Sequence, residues 1–395
     1  MRIGVYSGDF PPTEGGGHTF VSTVLDAFFD AAPSSDHEFV AFCEPGQREA
    51  LAQRCTEARV ELAMLPSHTA LGMGIATLRH YAPFAYLLRR WPGRLERTGR
   101  ERGVQAVWFV PGLAHDALDI PYVGTVWDLQ HRLHPWFPEV CSDGYWEHRE
   151  LVYSRFVRRA THLVTGTRVG AEQLSRLYGV APERISVLPQ PAPRVLAQAE
   201  PSQAVAALCA ERFFLYPAQF WPHKNHVNLL HALKLLEERH GERLSLVLPG
   251  ADKGNAAHVR RTSEALGLAA RVHLPGFVSA ADLAWLYRRA AALVYPSFNG
   301  PDNLPPLEAF AHGCPVVLAE YPGAREQAGD AALFFDPRDP GELAAKLASL
   351  LRDAPLAQEL ARRGRERAAR WTAHDYVRGI FGVLDALEPI RRCWP

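Results

Sequence analysis

The stretch Tyr295–Ala319, YPSFNGPDNLPPLEAFAHGCPVVLA, gathers residue types that suit a nucleoside diphosphate. Its pattern predicts a buried strand, a loop of Asn, Gly, Pro and Asp, a short helix from about Leu304, and a second buried strand. Asn303 or Asp302 suits the N-cap, and Pro305 and Pro306 fit a first turn, where amide hydrogens lack helical partners. Free amides at a helix start, reinforced by the helix dipole, attract an anion such as a diphosphate. Glu308 follows about one turn later. A carboxylate beside that anion is costly unless it binds hydroxyls, and a ribose diol supplies them.

Three further segments carry candidate chemistry. Phe220–Asn225 (FWPHKN) follows a predicted strand and opens a helix. The chain has four Lys against 39 Arg, so Lys224 stands where Arg is the default cation. A compact ammonium suits diphosphate oxygens; the plain alternative is a solvated lysine in a first helical turn. Gly15, Gly16 and Gly17 follow the first predicted strand and Pro11-Pro12. They can bring backbone close to a ligand and aim amides at an anion, or simply form a flexible loop. The run is not GxGxxG, the fingerprint that a dinucleotide site requires. Thr125–His131 (TVWDLQH) ends another strand, with Asp128, His131 and His134 close in sequence. D-x2-H-x2-H is not an established ligand spacing, so no metal site is assigned. Gly250 and Gly276 are strand-end turns or walls of a nucleotide pocket, and Arg325-Glu326 reads as an exposed ion pair.

Short apolar runs alternating with amphipathic segments predict an α/β chain of two doubly wound parallel sheets. Expected strands are 2–6, 38–43, 106–110, 122–126, 162–165 and 185–188 in the first half. In the second half they are 213–216, 244–248, 271–274, 292–295, 315–318 and 332–335. Helices are expected at 19–31, 147–159, 169–178, 226–240, 280–290, 341–352, 355–370 and 373–387. The Pro-rich, aperiodic run 189–203 reads as the linker. The expected domains are therefore 1–190, a linker 191–204, a second domain 205–372, and a terminal helix 373–395. Ligands of such sheets sit beyond the carboxyl ends of the strands, which puts the functional cleft between the lobes.

Zero net formal charge argues against bulk attraction to nucleic acid. The six Cys are scattered without a CxxC, as expected of reduced thiols in the cytoplasm. Strand residues from position 2 leave no room for a signal peptide. Tyr81–Arg102 joins an apolar stretch to six Arg around Trp91, a basic segment suited to an anionic membrane face or to a solvated surface.

The Tyr295–Ala319 segment resembles the donor-site signature of retaining glycosyltransferases with two Rossmann-like lobes, the GT-B type, family 4. The likeness is nearest to bacterial polysaccharide mannosyltransferases. Leu304-Pro305, Glu308 and Gly313-Cys314-Pro315-Val316-Val317 match the signature, and its first Glu falls on Gly300. The Gly loop, the Lys-Asn helix start and GDAALFFDP extend the likeness over most of the chain.

The resemblance implies hexose transfer from a nucleotide diphosphate sugar, GDP-mannose in preference to a UDP-sugar, to a glycan or lipid-linked glycan. It implies no other cofactor. Lys224 and the amides of Asn303 and Leu304 would meet the diphosphate, Glu308 the ribose, and Asp302 or Asn303 the sugar. The family's Arg partner, five residues before Lys224, falls on Gln219, and Asn225 follows Lys224 in the same donor segment. Phe277 and Val278 match the backbone that holds the nucleobase. Trp127 replaces the family's His, leaving Asp128 and His131 as sugar or acceptor contacts. With no Asp-x-Asp pair, charge on the leaving group falls to Lys224 and helix-start amides rather than a metal ion. Two rivals share the fold: a hydrolysing nucleotide-sugar 2-epimerase and a non-catalytic partner subunit. A nicotinamide oxidoreductase is more distant.

Overall fold

The computed structural model describes residues 1–9, 11, 15–67, 91–112, 115–193, 195, 200–208 and 211–394. Strands β1 (Arg2–Tyr6), β2 (Glu38–Cys43), β3 (Glu61–Met64), β4 (Ala106–Phe109), β5 (Tyr122–Thr125), β6 (His162–Thr165) and β7 (Ile185–Val187) form one sheet. Its order is β3-β2-β1-β4-β5-β6-β7. The second sheet contains β8 (Phe213–Leu215), β9 (Ser245–Pro249), β10 (Val272–Gly276), β11 (Ala292–Tyr295), β12 (Val316–Ala319) and β13 (Ala332–Phe335), in the order β10-β9-β8-β11-β12-β13. Every described pairing is parallel, for example Val5 with Ala41 and with Trp108. Both faces of such sheets are covered by helices, so the strands read as unbroken apolar runs rather than alternating ones.

The sequence expectation holds for twelve of these strands to within a residue or two and omits β3. That strand pairs with β2 at the sheet edge, and only Ala63 of its four residues is buried. A short edge strand with one buried position leaves no periodic signal. The expected linker is partly held in place: Gln190 N donates to Asp302 Oδ2 (2.9 Å) and Trp371 Nε1 donates to Pro189 O (2.7 Å). A helix follows at Gln203–Leu208.

The chain order doubles back at two switch points, between β1 and β4 and between β8 and β11. There the loops after β1 and β11 are free to diverge and hold a ligand. The helix Ala373–Arg391 returns to the first lobe. Phe381 stacks on Phe39 (5.3 Å between centroids) and Tyr376 meets Phe20 edge-on (5.5 Å). One apolar cluster consequently runs from the helix Gly16–Ala31 through the returning helix into the second lobe. A second cluster fills the opposite face of the first sheet.

No helix among the described residues is long and apolar enough to cross a membrane. Tyr81–Arg90 of the basic segment lies outside the described residues. Within the remainder, Arg94 pairs with Glu44, Arg100 with Glu96, and Arg102 with Glu61, so these three charges are locally neutralised.

Candidate active site

Lys224 ends a single 3-10 turn, Pro222–Lys224, just beyond β8. Asn225 follows in the left-handed region (φ 59°), which Asn tolerates better than most residues. Its Nδ2 donates to Pro296 O (2.9 Å) and Pro337 O (2.8 Å), tying this turn to the ends of β11 and β13. Tyr216 Oη donates to Lys224 O (2.8 Å). Both Nδ2 hydrogens of Asn225 are therefore committed to holding the backbone. Lys224 Nζ donates to Tyr295 Oη (3.0 Å), and no described carboxylate stands within ion-pair distance. Burial pushes the ammonium down to about 8, although Asp128 and Glu139 favour its charged form. A half-buried cation with no anion beside it is a ready anion site.

The helix Leu304–His312 starts beside that cation. Asn303 occupies the N-cap position, but its side chain does not cap. Oδ1 accepts from Tyr295 Oη (2.7 Å) and Nδ2 donates to Gly300 O (2.6 Å). Pro305 and Pro306 have no N–H, so the first turn offers the Leu304 amide rather than a ring of several. Across the seam, the helix Gly16–Ala31 begins after Gly15 (φ 62°), again without a side-chain cap. A Cβ at Gly16 would stand 3.7 Å from Leu304 Cδ1. Two uncapped helix starts, one from each lobe, thus meet where Gly16 of the Gly15–Gly17 run faces Leu304, and Tyr295 and Asn303 link the second of them to Lys224.

Glu308 lies one turn into the second-lobe helix and is half-buried. Tyr287 Oη donates to its Oε2 (2.6 Å), and the Tyr287 ring stacks on His312 (5.5 Å, 17°). Burial raises the carboxyl above the ordinary Glu value, and the Tyr287 hydroxyl partly restores it. Oε1 has no protein donor among the described residues, which leaves it for a ligand hydroxyl.

Asp302 faces elsewhere. Its Oδ2 accepts from Gln190 N, which ties it to the end of the first lobe, and its Oδ1 accepts from Gln327 Nε2 (2.6 Å) within the second lobe, so both oxygens are engaged by the protein. Burial pushes this carboxyl up to about 7, against the pull of those donors. Gly166 approaches so closely that a Cβ there would overlap the Asp302 carboxylate. Glu326 adds a second tie. Its Oε1 accepts from Arg168 N (2.7 Å) at the start of the helix Arg168–Tyr178, where a carboxylate favours the helix dipole. The expected Arg325–Glu326 pair is replaced by Arg325 with Glu320. A third tie joins buried Glu139 Oε1 to His223 Nδ1 (2.5 Å) and His223 N (3.1 Å).

His131 does not reach the cleft, which corrects its assignment to the reaction. It is fully buried, with Nε2 against Tyr178 Oη (2.9 Å) and Glu150 Oε2 (3.2 Å). Burial and the nearby Arg149 charge push it down to about 4, so the ring is neutral at working pH. Asp128 is half-buried; its Oδ1 accepts from Arg149 Nη2 (2.7 Å) and Gln130 N (2.8 Å). Burial raises its carboxyl, but Arg149 and the amide of Gln130 bring it below the usual range. Asp128 is thus a fixed negative charge that acts on Lys224 at a distance.

The remaining donor-side positions lie at the carboxyl ends of β8, β9 and β10. Gln219 Oε1 accepts from Trp221 Nε1 (2.9 Å), while its buried Nε2 has no partner among the described residues. Gly250 abuts Ala218 so tightly that a Cβ would overlap the Ala218 carbonyl. Phe277 is 56% exposed beside half-buried Val278. Sequence reasoning missed Tyr287, Tyr295, Glu139 and Gln327. Tyr295 sat inside a strand read only as buried, and a hydroxyl at a strand end is the signal that marks it.

The family described as Glycosyl transferases group 1 matches residues 203–367. O-antigen chain mannosyltransferase RfbU of Salmonella typhimurium is 28% identical over 193 residues, covering 48% of this chain and 52% of that protein. O-antigen chain mannosyltransferase B of Escherichia coli is 26% identical over 301 residues, covering 72% of this chain and 78% of that protein. The chain thus spans about half the length of the first relative and more of the second. The structure of Anabaena HepE in complex with UDP-glucose superposes with a TM-score of 0.67 at 17% identity, over 98% of this chain and 100% of that one. At that identity the likeness establishes the two-lobed GT-B fold.

Proposed function

We propose, for a chain whose residues 203–367 match the glycosyl transferases group 1 family, that it is a retaining, metal-independent hexosyltransferase of polysaccharide synthesis. The donor is a nucleotide diphosphate sugar, GDP-mannose in preference to a UDP-sugar. The acceptor is a glycan or lipid-linked glycan. The observation that carries this reading is the Lys224 ammonium, without a carboxylate partner among the described residues and linked through Tyr295 to an uncapped helix start. In the step proposed, the bond between the sugar's anomeric carbon and the diphosphate oxygen breaks. The acceptor hydroxyl oxygen bonds that carbon from the same face, and its proton passes to the departing phosphate oxygen. Charge develops on the diphosphate, where Lys224 and the Leu304 amide are already oriented. A single such donor is typically worth about 3 kcal/mol of barrier.

The preference for mannose rests on the two O-antigen mannosyltransferase relatives. Glu308 Oε1 takes the ribose diol, and the exposed Phe277 with Val278 borders the base. Gln219, in place of a second cation, offers its unpartnered Nε2 to the same oxygens.

A thermal-shift panel of GDP, UDP, ADP and their sugars tests the donor. Binding adds about 2.7 kcal/mol at a hundredfold excess over Kd, and GDP is expected to give the largest shift. Lys224→Ala and Glu308→Ala are each expected to cut turnover at least about tenfold with the fold intact. Wild-type turnover in both variants would remove the assignment.

A further inference from the structure

Lys224 is not held by charge, and the groups around it explain its placement. Tyr295, the last residue of β11, is 1% exposed, and its ring is wedged edge-on against Tyr216 (5.4 Å) and Tyr321 (6.5 Å). A phenol so confined presents its hydroxyl at one point. That oxygen accepts from Lys224 Nζ (3.0 Å) and donates to Asn303 Oδ1 (2.7 Å), while Asn303 Nδ2 donates to Gly300 O (2.6 Å). All three bonds run in one direction, and in such a chain each donation strengthens the next acceptor. Gly300 makes room for it. At φ 126° a side chain is strained, and a Cβ would overlap the Asn303 amide.

We infer that Tyr295, oriented by Asn303, is a positioning residue that aims the Lys224 ammonium at the donor diphosphate. This rests on the function proposed above. Two N–H bonds of the ammonium remain for phosphate oxygens. Without the hydroxyl, the flexible lysine stem is free to swing toward Asp128 or Glu139, the carboxylates that act on it from the first lobe. The other titratable groups that interact with it are His223 and His226, whose rings its charge acts on, and Tyr295 itself, while Tyr216 bonds its backbone carbonyl.

The chain has only four Lys: Lys224, Lys234, Lys253 and Lys346. Lysine labelled with carbon-13 at Cε therefore gives four resonances, and Lys224→Arg assigns one of them. In the wild-type protein Lys224 is expected to titrate near 8, because burial opposes its charge. Tyr295→Phe keeps the ring and removes the acceptor, so the ammonium loses a bond that favours the charged form and its titration moves lower. The alkaline limb of the rate profile moves with it, and kcat/KM falls about tenfold. In a Lys224→Ala background, Tyr295→Phe is expected to change the rate no further, whereas a purely structural tyrosine would lower it again. Asn303→Leu, which leaves Tyr295 in place, is expected to move the titration by a smaller amount in the same direction. An unchanged Lys224 titration in Tyr295→Phe, or additive losses in the double variant, would overturn the inference. Absence of any sugar transfer by the wild-type protein, with the titration shift present, would instead count against the proposed function alone.

Discussion

Gly300 shows how one backbone angle decides a residue type. The family signature places Glu here, but φ is 126° and the space beyond Cα is filled by the Asn303 amide. A side chain in that conformation costs about 1–3 kcal/mol before any overlap is relieved. Gly300→Glu, which restores the family residue, is therefore expected to lower both melting temperature and turnover. Higher turnover in that variant, measured beside its melting curve, would contradict the geometry. Asn303 was legible as a residue at a helix start. Its use as a link between Tyr295 and Gly300 was not, because that needs a tyrosine eight positions earlier to end its strand pointing back.

Elements set which polar residues can reach a ligand at all. His131 belongs to a short helix, Gln130–Leu133, whose inward face packs on Tyr153 (5.0 Å between rings) and Tyr178. The spacing of Asp128 and His131 placed both near a strand end, but only the packing of the helix Tyr145–Arg159 buries the histidine. His131→Phe is expected to cost about 1–2 kcal/mol of stability through the lost hydrogen bond, with donor affinity unchanged. The pH response carries the same information. A histidine pushed down to about 4 in the folded state favours the fold fully above its ordinary 6.5, and that contribution is lost as pH falls toward 4. The wild-type melting temperature should therefore drop over that acid window by more than that of His131→Phe. Parallel thermal melts at pH 7 and pH 5 check both points.

Across the whole molecule, the lobes are joined by polar ties and a shared apolar strap. Glu326 accepts from a first-lobe helix start, Asp302 from the Gln190 amide, and Glu139 from His223. The terminal helix buries Tyr376, Val377, Ile380, Leu384 and Leu387. Each such side chain is worth about 1.5–3 kcal/mol, so together they rival the whole stability margin of a typical domain, about 5–15 kcal/mol. Deleting residues 373–395 also uncovers Phe28 and Phe39. The truncated chain is expected to aggregate or to lose its cooperative melt. A soluble truncated protein with an unchanged melting curve would show the strap to be dispensable.

The amino-acid order alone determined the two doubly wound sheets, most of their helices, and the location of Lys224 beyond a strand and of Glu308 one turn into a helix. Those features follow from local apolar periodicity and turn chemistry, which neighbouring residues carry between them. Tertiary structure alone decided which carboxylates serve the lobe seam, that His131 is core, and that Tyr295 holds the lysine. Each of these depends on residues far apart in sequence meeting at one point, and hydrogen-bond direction and burial exist only once they have met.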